Sequence, residues 1–322
     1  MRAQLRQKRN FAIIAIVLLT FSVLIGKVNA QSYVTRWAVL VSGTIDCEVR
    51  STQFDTQFMY HILVDHYGIS EDRIYYLHAN MSYPYRGVDA EATKNNVRCA
   101  IREWLAHNVS SHDWVFIYFT SHGYYGSDGA RGDPTDETDG DDEAIQLDTT
   151  SGGINYYWDD ELREDLALVN CWEMFIVVST CFSGGFIRDL SATNRIIMTP
   201  TTEDQWSAGD IDGDEFCEWD EVFMDALHWY VDGNDTKWLN EQIYHNTSEP
   251  LFWKYYPDTP DTKQDCFMSM WEVWNFAWRH DDGKIGGLDC PCIDDNGDGE
   301  PTYRDTSGNL IGMMAETPWT ST

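Results

Sequence analysis

The chain has 322 residues, of which 43% are hydrophobic and 14% aromatic. This composition excludes an intrinsically disordered chain, and the length is sufficient for a large hydrophobic core. The formal net charge is −31, from 53 acidic and 22 basic side chains, which argues against nucleic acid and anionic membranes as partners. Such an acidic surface suits cation binding or a salty habitat, although a solvated acidic surface alone also accounts for most of it.

The first 30 residues have the pattern of a secretory signal peptide. Basic side chains near the N-terminus precede an apolar run over residues 11–25, and small residues before Gln31 fit cleavage after Ala30. We therefore expect residues 1–30 to be removed and the protein to be secreted. The alternative is an uncleaved signal anchor that tethers the chain to a membrane. We see no other stretch that is long and apolar enough to span a bilayer.

Strand and helix patterns alternate along the rest of the chain. Apolar runs predict five strands within residues 36–43, 72–79, 113–123, 172–181 and 194–200. Helical spacing of apolar residues predicts helices within 52–68, 91–108, 158–168, 221–231 and 266–278. Continuous apolar strands between helices are typical of an α/β fold, in which a mostly parallel sheet is covered on both faces as a three-layer α/β/α sandwich. The acidic stretch at 132–148 reads as a loop.

Two residue types with catalytic potential follow two of the predicted strands. His122 comes directly after the third strand, in "FTSHG", and Cys181 comes at the end of the fourth, in "FIVVSTCFSGG". Ligands of open α/β sheets bind at the carboxyl ends of the strands. A thiol at that edge can attack a peptide carbonyl while an imidazole manages the protons. Taken alone, each residue is more often structural, so the prediction depends on the pair.

The sequence around both residues resembles the caspase, metacaspase and legumain clan of cysteine peptidases. "DWVFIYFTSHGYYG" is similar to the histidine strand of that clan and "FIVVSTCFSGG" to its cysteine strand, and the likeness extends over roughly residues 36–230. The resemblance implies a caspase–haemoglobinase-like fold, a catalytic dyad of His122 and Cys181, and an oxyanion N–H from Gly123. We place the caspase-like domain at residues 31–282 and an acidic, Gly-rich C-terminal segment at 283–322.

The resemblance leaves substrate specificity open. Many relatives carry an acidic residue or Gln two positions before the nucleophile, where this chain has Ser179. Arg50 follows the first strand and, if it lines the pocket, favours an acidic or amide side chain; an exposed Arg at a helix start is the alternative. Further pocket candidates follow the fifth strand at Thr201, Glu203, Asp204 and Ser207.

Two acidic loops resemble calcium-binding loops. The first has Asp210, Asp212, Asp214 and Glu221 at positions one, three, five and twelve of an EF-hand-like loop, but Glu215 stands where the turn prefers Gly. The second has Asp294, Asn296, Asp298 and Asp305, with Gly299 correctly placed. Hard oxygen ligands suit Ca²⁺. The acidic loop at 133–143 is a further candidate for cation binding, since some metacaspases are activated by calcium. Acidic turns without a metal are the alternative.

We expect an exported cysteine endopeptidase that acts on protein or peptide substrates through a thioester acyl-enzyme. No cofactor is expected for the chemistry itself, and Ca²⁺ is the candidate metal. A transpeptidase or ligase would use the same dyad, and a non-catalytic calcium-binding module could use the same fold. Of the eight cysteines, seven remain if Cys181 stays a thiol, so the pattern of disulfides is left open.

Overall fold

The computed structural model describes residues 34–45, 51–82, 85–129, 140–148, 152–232, 268–281, 289–294, 297–304, 310–311 and 318–319. The chain divides into two compact units, Met1–Thr35 and Arg36–Thr322. The first unit, which contains the predicted signal peptide, lies almost entirely outside the described residues. Within the described part of the chain, no helix has the length and apolar character needed to cross a bilayer.

A nine-stranded sheet forms the centre of the second unit. Its strand order begins with three short strands, β13 (Leu310–Ile311), β12 (Thr302–Arg304) and β11 (Cys292–Asp294), and continues as β9-β8-β4-β1-β2-β3. The strands from β9 to β3 run parallel. The parallel strands are β1 (Arg36–Ser42), β2 (Ile74–His78), β3 (Val88–Glu91), β4 (Trp114–Thr120), β8 (Glu173–Ser179) and β9 (Arg195–Thr199). The five strands predicted from apolar runs are confirmed, and the largely parallel sheet confirms the predicted α/β class.

Helices cover both faces of this sheet. They are α1 (Ser51–His61), which continues as a π-helical turn (Ile62–His66), α2 (Lys94–Cys99), a second π-helical turn (Ala100–Leu105), α3 (Ala106–Asn108), α4 (Asp159–Leu166), α5 (Phe186–Leu190), α6 (Glu218–Asp232) and α7 (Met270–His280). Short 3₁₀ turns lie at Glu71–Arg73 and Ser183–Gly185. The five predicted helices all have counterparts among these elements.

Alternation along the strands explains the two layers, because neighbouring residues of a strand point to opposite faces. Tyr118 of β4 belongs to a buried cluster with residues of α1, α6 and α7. The next residue, Phe119, belongs to a second cluster with residues of α2, α4 and α5. The result is the predicted three-layer sandwich, with a separate core on each side of the sheet.

The acidic stretch predicted as a loop is partly a strand. Asp141–Asp148 forms β6, which lies between β5 (Gly123–Ser127) and β7 (Ile154–Trp158) in a separate antiparallel sheet. Ala144, Ile145 and Leu147 are buried there. The prediction failed because it followed the acidic and Gly-rich composition, whereas cross-strand pairing and burial determine the conformation.

The C-terminal segment adds antiparallel strands to the main sheet. β11 (Cys292–Asp294) pairs with β9, β12 (Thr302–Arg304) with β11, and β13 (Leu310–Ile311) with β12. A further pair joins β10 (Met268–Ser269) to β14 (Pro318–Trp319). Residues after 283 therefore contribute to the same sheet as the predicted peptidase domain and bring their side chains near its edge.

Candidate active site

The central strands end in register, which brings the two candidate catalytic residues to one edge of the sheet. Thr120 at the end of β4 pairs with Ser179 at the end of β8. His122 and Cys181 each follow two residues later. Both are partly exposed, and both line a cleft of about 740 Å³ together with Asp148 and Trp206, among others. The structure thus brings together the pair that the sequence analysis singled out.

The turn that carries Cys181 has an uncommon backbone conformation. Phe182 has a φ of 61°, in the left-handed region that side chains disfavour. Its N–H donates to the carbonyl of Gln205 at 2.7 Å. The N–H of Ser183 donates to Thr201 Oγ1 at 3.2 Å, and the two hydroxyls are 3.1 Å apart. These contacts hold the strand-to-helix turn in place and leave the cysteine exposed at its start.

Gly123 lies against the backbone of Cys181. A Cβ at position 123 would come within 1.9 Å of the Cys181 carbonyl oxygen and 2.9 Å of its nitrogen. A side chain is therefore excluded at this position without a shift of the backbone. The main chain directly after His122 therefore lies beside the main chain of Cys181.

The strand that the sequence analysis missed positions the histidine. The N–H of Gln146, in β6, donates to the carbonyl of His122 at 2.9 Å. Ser121 Oγ donates to the carbonyl of Gln146 at 2.6 Å, and the Ser121 N–H reaches the carbonyl of Ser179 at 3.2 Å. The backbone of His122 is thus fixed between β6 and the end of the cysteine strand.

Backbone N–H groups surround the sulfur of Cys181. The N–H of Ser207 lies 3.4 Å from Sγ. Burial raises the pKa of the Cys181 thiol, while N–H groups of Ser207, Gly123 and Cys181 itself lower it, and the charge of Asp289 raises it. Because a thiolate is the nucleophile of cysteine enzymes, these donors favour the reactive form against the cost of burial.

The remaining pocket candidates of the sequence analysis lie in different places. Thr201 is fully buried and supports the turn after Cys181. Glu203 and Asp204 line a smaller cavity of about 210 Å³ beside Phe182. Ser207 contacts the sulfur itself. Arg50 lies outside the described residues.

Ser179 lies above buried carboxyl groups that the sequence analysis did not find. Its hydroxyl donates to Asp220 in α6, whose other oxygen accepts the Tyr118 hydroxyl at 2.7 Å. Asp55 in α1 is also fully buried. Burial raises the pKa of Asp220 to about 7 and raises that of Asp55, with a further rise from Asp220. The sequence did not predict a role for Asp55 or Asp220, because tertiary packing of α1 and α6 is what brings these side chains to the edge of the sheet.

The first calcium-like loop is arranged differently from the EF-hand pattern. Ligand atoms of Asp210 and Asp212 lie within 4.8 Å of one another and of Glu218, rather than of Glu221. The helix α6 begins at Glu218, so Glu221 lies within this helix, where its side chain is buried. Glu215 adopts a φ of 76°, so the turn forms without Gly at this position. The Asp210 carboxylate accepts N–H groups of the loop, including that of Gly213 at 2.6 Å.

Only part of the second calcium-like loop is described. Asp294 accepts the N–H of Gly297 at 2.8 Å and the hydroxyl of Ser191 at 2.7 Å. Asp298 accepts the N–H of Glu300 at 2.9 Å. Asn296 and Asp305 lie outside the described residues. The described contacts brace the turn and attach it to the residue after α5.

A third acidic cluster is buried, and one of its members, Asp142, lies in the acidic stretch at 133–143. Ligand atoms of Asp142, Asp159 and Asp160 lie within 4.8 Å of one another. Burial, together with the charges of the neighbouring Asp189 and Asp142, raises the pKa of Asp159 to about 8. Arg163 pairs with Asp160 and Asp189. Oxygen ligands of this kind fit a hard divalent cation. Asp159 and Asp160, at the start of α4, are distant from Asp142 in sequence and were not predicted as ligands.

One family model of known proteins agrees with the fold. Residues 36–190, slightly less than half of the chain, match the family model described as the metacaspase, peptidase C14 domain. Both His122 and Cys181 lie within this match. A search of curated proteins gave no match. Among solved structures, the chain is similar to the crystal structure of protein GSU0716 from Geobacter sulfurreducens at 16% identity and a TM-score of 0.42, over 62% of this chain and 83% of that one. The family match supports a cysteine peptidase of the hydrolase class, and residues 36–190 resemble the metacaspase, peptidase C14 domain.

Proposed function

We propose that the protein is a cysteine endopeptidase in which Cys181 is the nucleophile and His122 is the general acid and base. The observation that carries this proposal is that both side chains line one cleft at the carboxyl edge of the sheet, where backbone N–H groups surround the sulfur. His122 takes the thiol proton of Cys181 as Sγ attacks the peptide carbonyl carbon, and when the C–N bond breaks His122 gives that proton to the leaving amine. Water, deprotonated by His122, then hydrolyses the thioester and regenerates the thiol.

The N–H of Gly123 is proposed as an oxyanion donor. Its backbone lies against that of Cys181, and its N–H already contributes to the stabilisation of the thiolate. A donor held at this place stabilises the negative charge that develops on the substrate carbonyl oxygen. Gly is required because any side chain would collide with the nucleophile's own carbonyl group.

Ser179 and the carboxyl groups beneath it are proposed to set a preference for Lys or Arg before the cleaved bond. Asp220 accepts the Ser179 hydroxyl, and Asp55 lies buried nearby in the same acidic group, which also includes Cys217. A cationic side chain entering here would find a carboxyl group whose charged form is otherwise disfavoured by burial. This proposal takes the place of the acidic or amide preference that Arg50 would imply.

Calcium is proposed to act at the buried cluster of Asp142, Asp159 and Asp160. These carboxyl groups repel one another and are removed from water, so a bound Ca²⁺ would supply compensating positive charge. Glu143, adjacent to Asp142, is in close contact with Gly185 in the 3₁₀ turn beyond Cys181. Ion binding would therefore order the segment that supports the nucleophile.

Residues 1–30 are proposed to direct export and to be removed after Ala30, on the strength of their basic, apolar and small-residue pattern. N-terminal sequencing of the exported protein should give Gln31 first. A start at Met1 on membrane-bound protein would instead indicate the signal anchor.

The reaction type is tested by cleaving a peptide library in ¹⁸O-labelled water. Hydrolysis of the thioester places the label in the new carboxyl groups. A transpeptidase would join peptides and leave the products unlabelled, and a non-catalytic calcium-binding module would leave the library intact. The label in new carboxyl groups supports the endopeptidase, and either of the other results contradicts it.

A further inference from the structure

A side chain from the C-terminal segment contacts the loop at residues 205–208, which lies beside Cys181. Asp289 lies beyond the family match, just before β11. The N–H of the next residue, Cys290, donates to the carbonyl of Pro200 at 2.9 Å, and Cys292 pairs with Thr199 at the end of β9. These contacts fix Asp289 at the edge of the sheet where the active-site loops lie.

The carboxyl group of Asp289 binds two consecutive residues of that loop. Its Oδ1 accepts the N–H of Ala208 at 2.8 Å, and its side chain is also hydrogen-bonded to that of Ser207. Asp289 is buried, with 5% of its surface exposed. Burial and the charge of the neighbouring Asp281, after the end of α7, raise the pKa of Asp289. A buried carboxyl group that accepts a backbone N–H holds that segment of the main chain in a defined position.

The same loop contacts the nucleophile and the residue after it. The Ser207 N–H points to Cys181 Sγ at 3.4 Å, and the Gln205 carbonyl accepts the Phe182 N–H at 2.7 Å. The chain of contacts therefore runs from Asp289 through Ser207 and Ala208 to the sulfur. We propose that Asp289 is a positioning residue, which holds the backbone of residues 207–208 so that the Ser207 N–H stabilises the Cys181 thiolate.

This inference rests on the proposed role of Cys181 as the nucleophile, and it extends the site to a segment outside the family match. The charge of Asp289 by itself has the opposite effect, because a nearby negative charge disfavours a thiolate and raises its pKa. The neighbouring charged or titratable groups are Asp281 beside Asp289, and His122 and Asp148 in the cleft. The two possible effects of Asp289 change the pKa of the Cys181 thiol in opposite directions. Loss of its support for the loop would raise this pKa, whereas loss of its charge would lower it.

The test compares Asp289→Ala with Asp289→Asn by the pH dependence of Cys181 alkylation with iodoacetamide, followed by mass spectrometry of the Cys181 peptide. In Asp289→Ala the loop loses its acceptor, so the midpoint of the profile should rise by about one pH unit, as expected for the loss of one hydrogen bond to a charged group. Asp289→Asn retains an acceptor oxygen for the Ala208 N–H and should restore the midpoint to that of the wild type or slightly below it.

Two further variants keep the test decisive. Ser207→Ala removes only the hydroxyl contact and should raise the midpoint less than Asp289→Ala does, which gives a readout if Asp289→Ala fails to fold. Asp113→Ala removes a buried carboxyl group at the other end of β4 and should leave the profile unchanged. An equal lowering of the midpoint in Asp289→Ala and Asp289→Asn would show a charge effect and overturn the proposal, as would unchanged profiles in both Asp289→Ala and Ser207→Ala.

Alkylation does not depend on peptide cleavage, so the two proposals fail separately. If Cys181→Ala still cleaved peptides, the proposed function would be wrong while the effect of Asp289 on the Cys181 profile could still be measured. If cleavage required Cys181 but the pH profile of its alkylation were unchanged in both Asp289→Ala and Ser207→Ala, only the positioning role would be overturned.

Discussion

The backbone of Gly123 touches that of Cys181, with space for no more than a hydrogen atom at the Gly123 Cα on the side that faces the cysteine. A Cβ there would lie 1.9 Å from the Cys181 carbonyl oxygen. The residue after the candidate general base thus touches the candidate nucleophile through main-chain atoms alone. Because no side chain intervenes, the separation of the two loops depends on Gly at position 123.

The substitution Gly123→Ala should therefore reduce catalysis strongly. The added methyl group must push the two loops apart, which moves one oxyanion donor and the nucleophile away from each other. Loss of a single oxyanion donor typically lowers kcat by roughly 10²–10³-fold, and we expect a loss of at least this size in kcat for a peptide substrate. Gly209→Ala is the matched control, because a Cβ at Gly209 meets no atom within 4 Å. Similar kcat values for the two variants would contradict the account.

Substrate preference should depend on Asp220. The wild-type enzyme should cleave after Lys or Arg, and Asp220→Asn should lower kcat/KM for such substrates by about tenfold or more, which is the scale of one hydrogen bond to a charged group. Cleavage after a neutral residue of similar length should change much less. Asp113→Asn, at the far end of the sheet, serves as the control. A wild-type enzyme without preference for Lys or Arg would contradict this prediction.

Stability should depend on pH through Asp159. Its pKa is raised from 3.8 to about 8 in the folded protein, so between these values the folded state binds more protons than the unfolded state. The free energy of unfolding should then fall as the pH rises from about 4 to about 8. Asp159→Asn removes this contribution, so its advantage over the wild type should grow across that range. The measurement is urea denaturation of both proteins in the presence of EDTA, and a difference that does not change with pH would contradict it.

The stabilisation of the fold by Ca²⁺ should depend on pH over the same range as the effect of Asp159. A cation at Asp142, Asp159 and Asp160 favours their ionised forms, so Ca²⁺ should raise the urea midpoint of the wild type most near pH 8 and much less for Asp159→Asn. Asp210→Asn, in the exposed acidic loop, is the control and should respond to Ca²⁺ as the wild type does. An equal effect of Ca²⁺ on Asp159→Asn would place the ion elsewhere, for example at the loop around Asp210.

The central strands and the placement of His122 and Cys181 at one edge of the sheet were predictable because their signals are local. Apolar runs such as "RWAVLVS" and "FIVVS" produce buried parallel strands without help from distant residues. His122 and Cys181 then follow from the rule that functional groups gather at the carboxyl ends of such strands. The boundary was off by two residues at Cys181, because β8 ends at Ser179 and the cysteine belongs to the turn.

Features that depend on distant pairing were not predictable from one sequence. Asp141–Asp148 becomes a strand only because β5 and β7 pair with it. Asp220 and Asp289 come close to the catalytic strand through a helix and a C-terminal strand whose docking has no local signature. The EF-hand-like spacing pointed to Glu221, whereas the start of α6 places Glu218 beside Asp210 instead.

The central claim, that Cys181 performs peptide cleavage, is tested most directly by comparing the wild type with Cys181→Ala. Both proteins, without residues 1–30, are incubated with a mixed peptide library with and without Ca²⁺, and the products are identified by mass spectrometry. Removal of the nucleophile of a catalytic unit lowers kcat by roughly 10⁴–10⁶-fold in comparable enzymes. We predict cleavage by the wild type and none detectable by Cys181→Ala, with both proteins folded. Cleavage that persists in Cys181→Ala, or a folded wild type that cleaves nothing under either condition, would contradict the account.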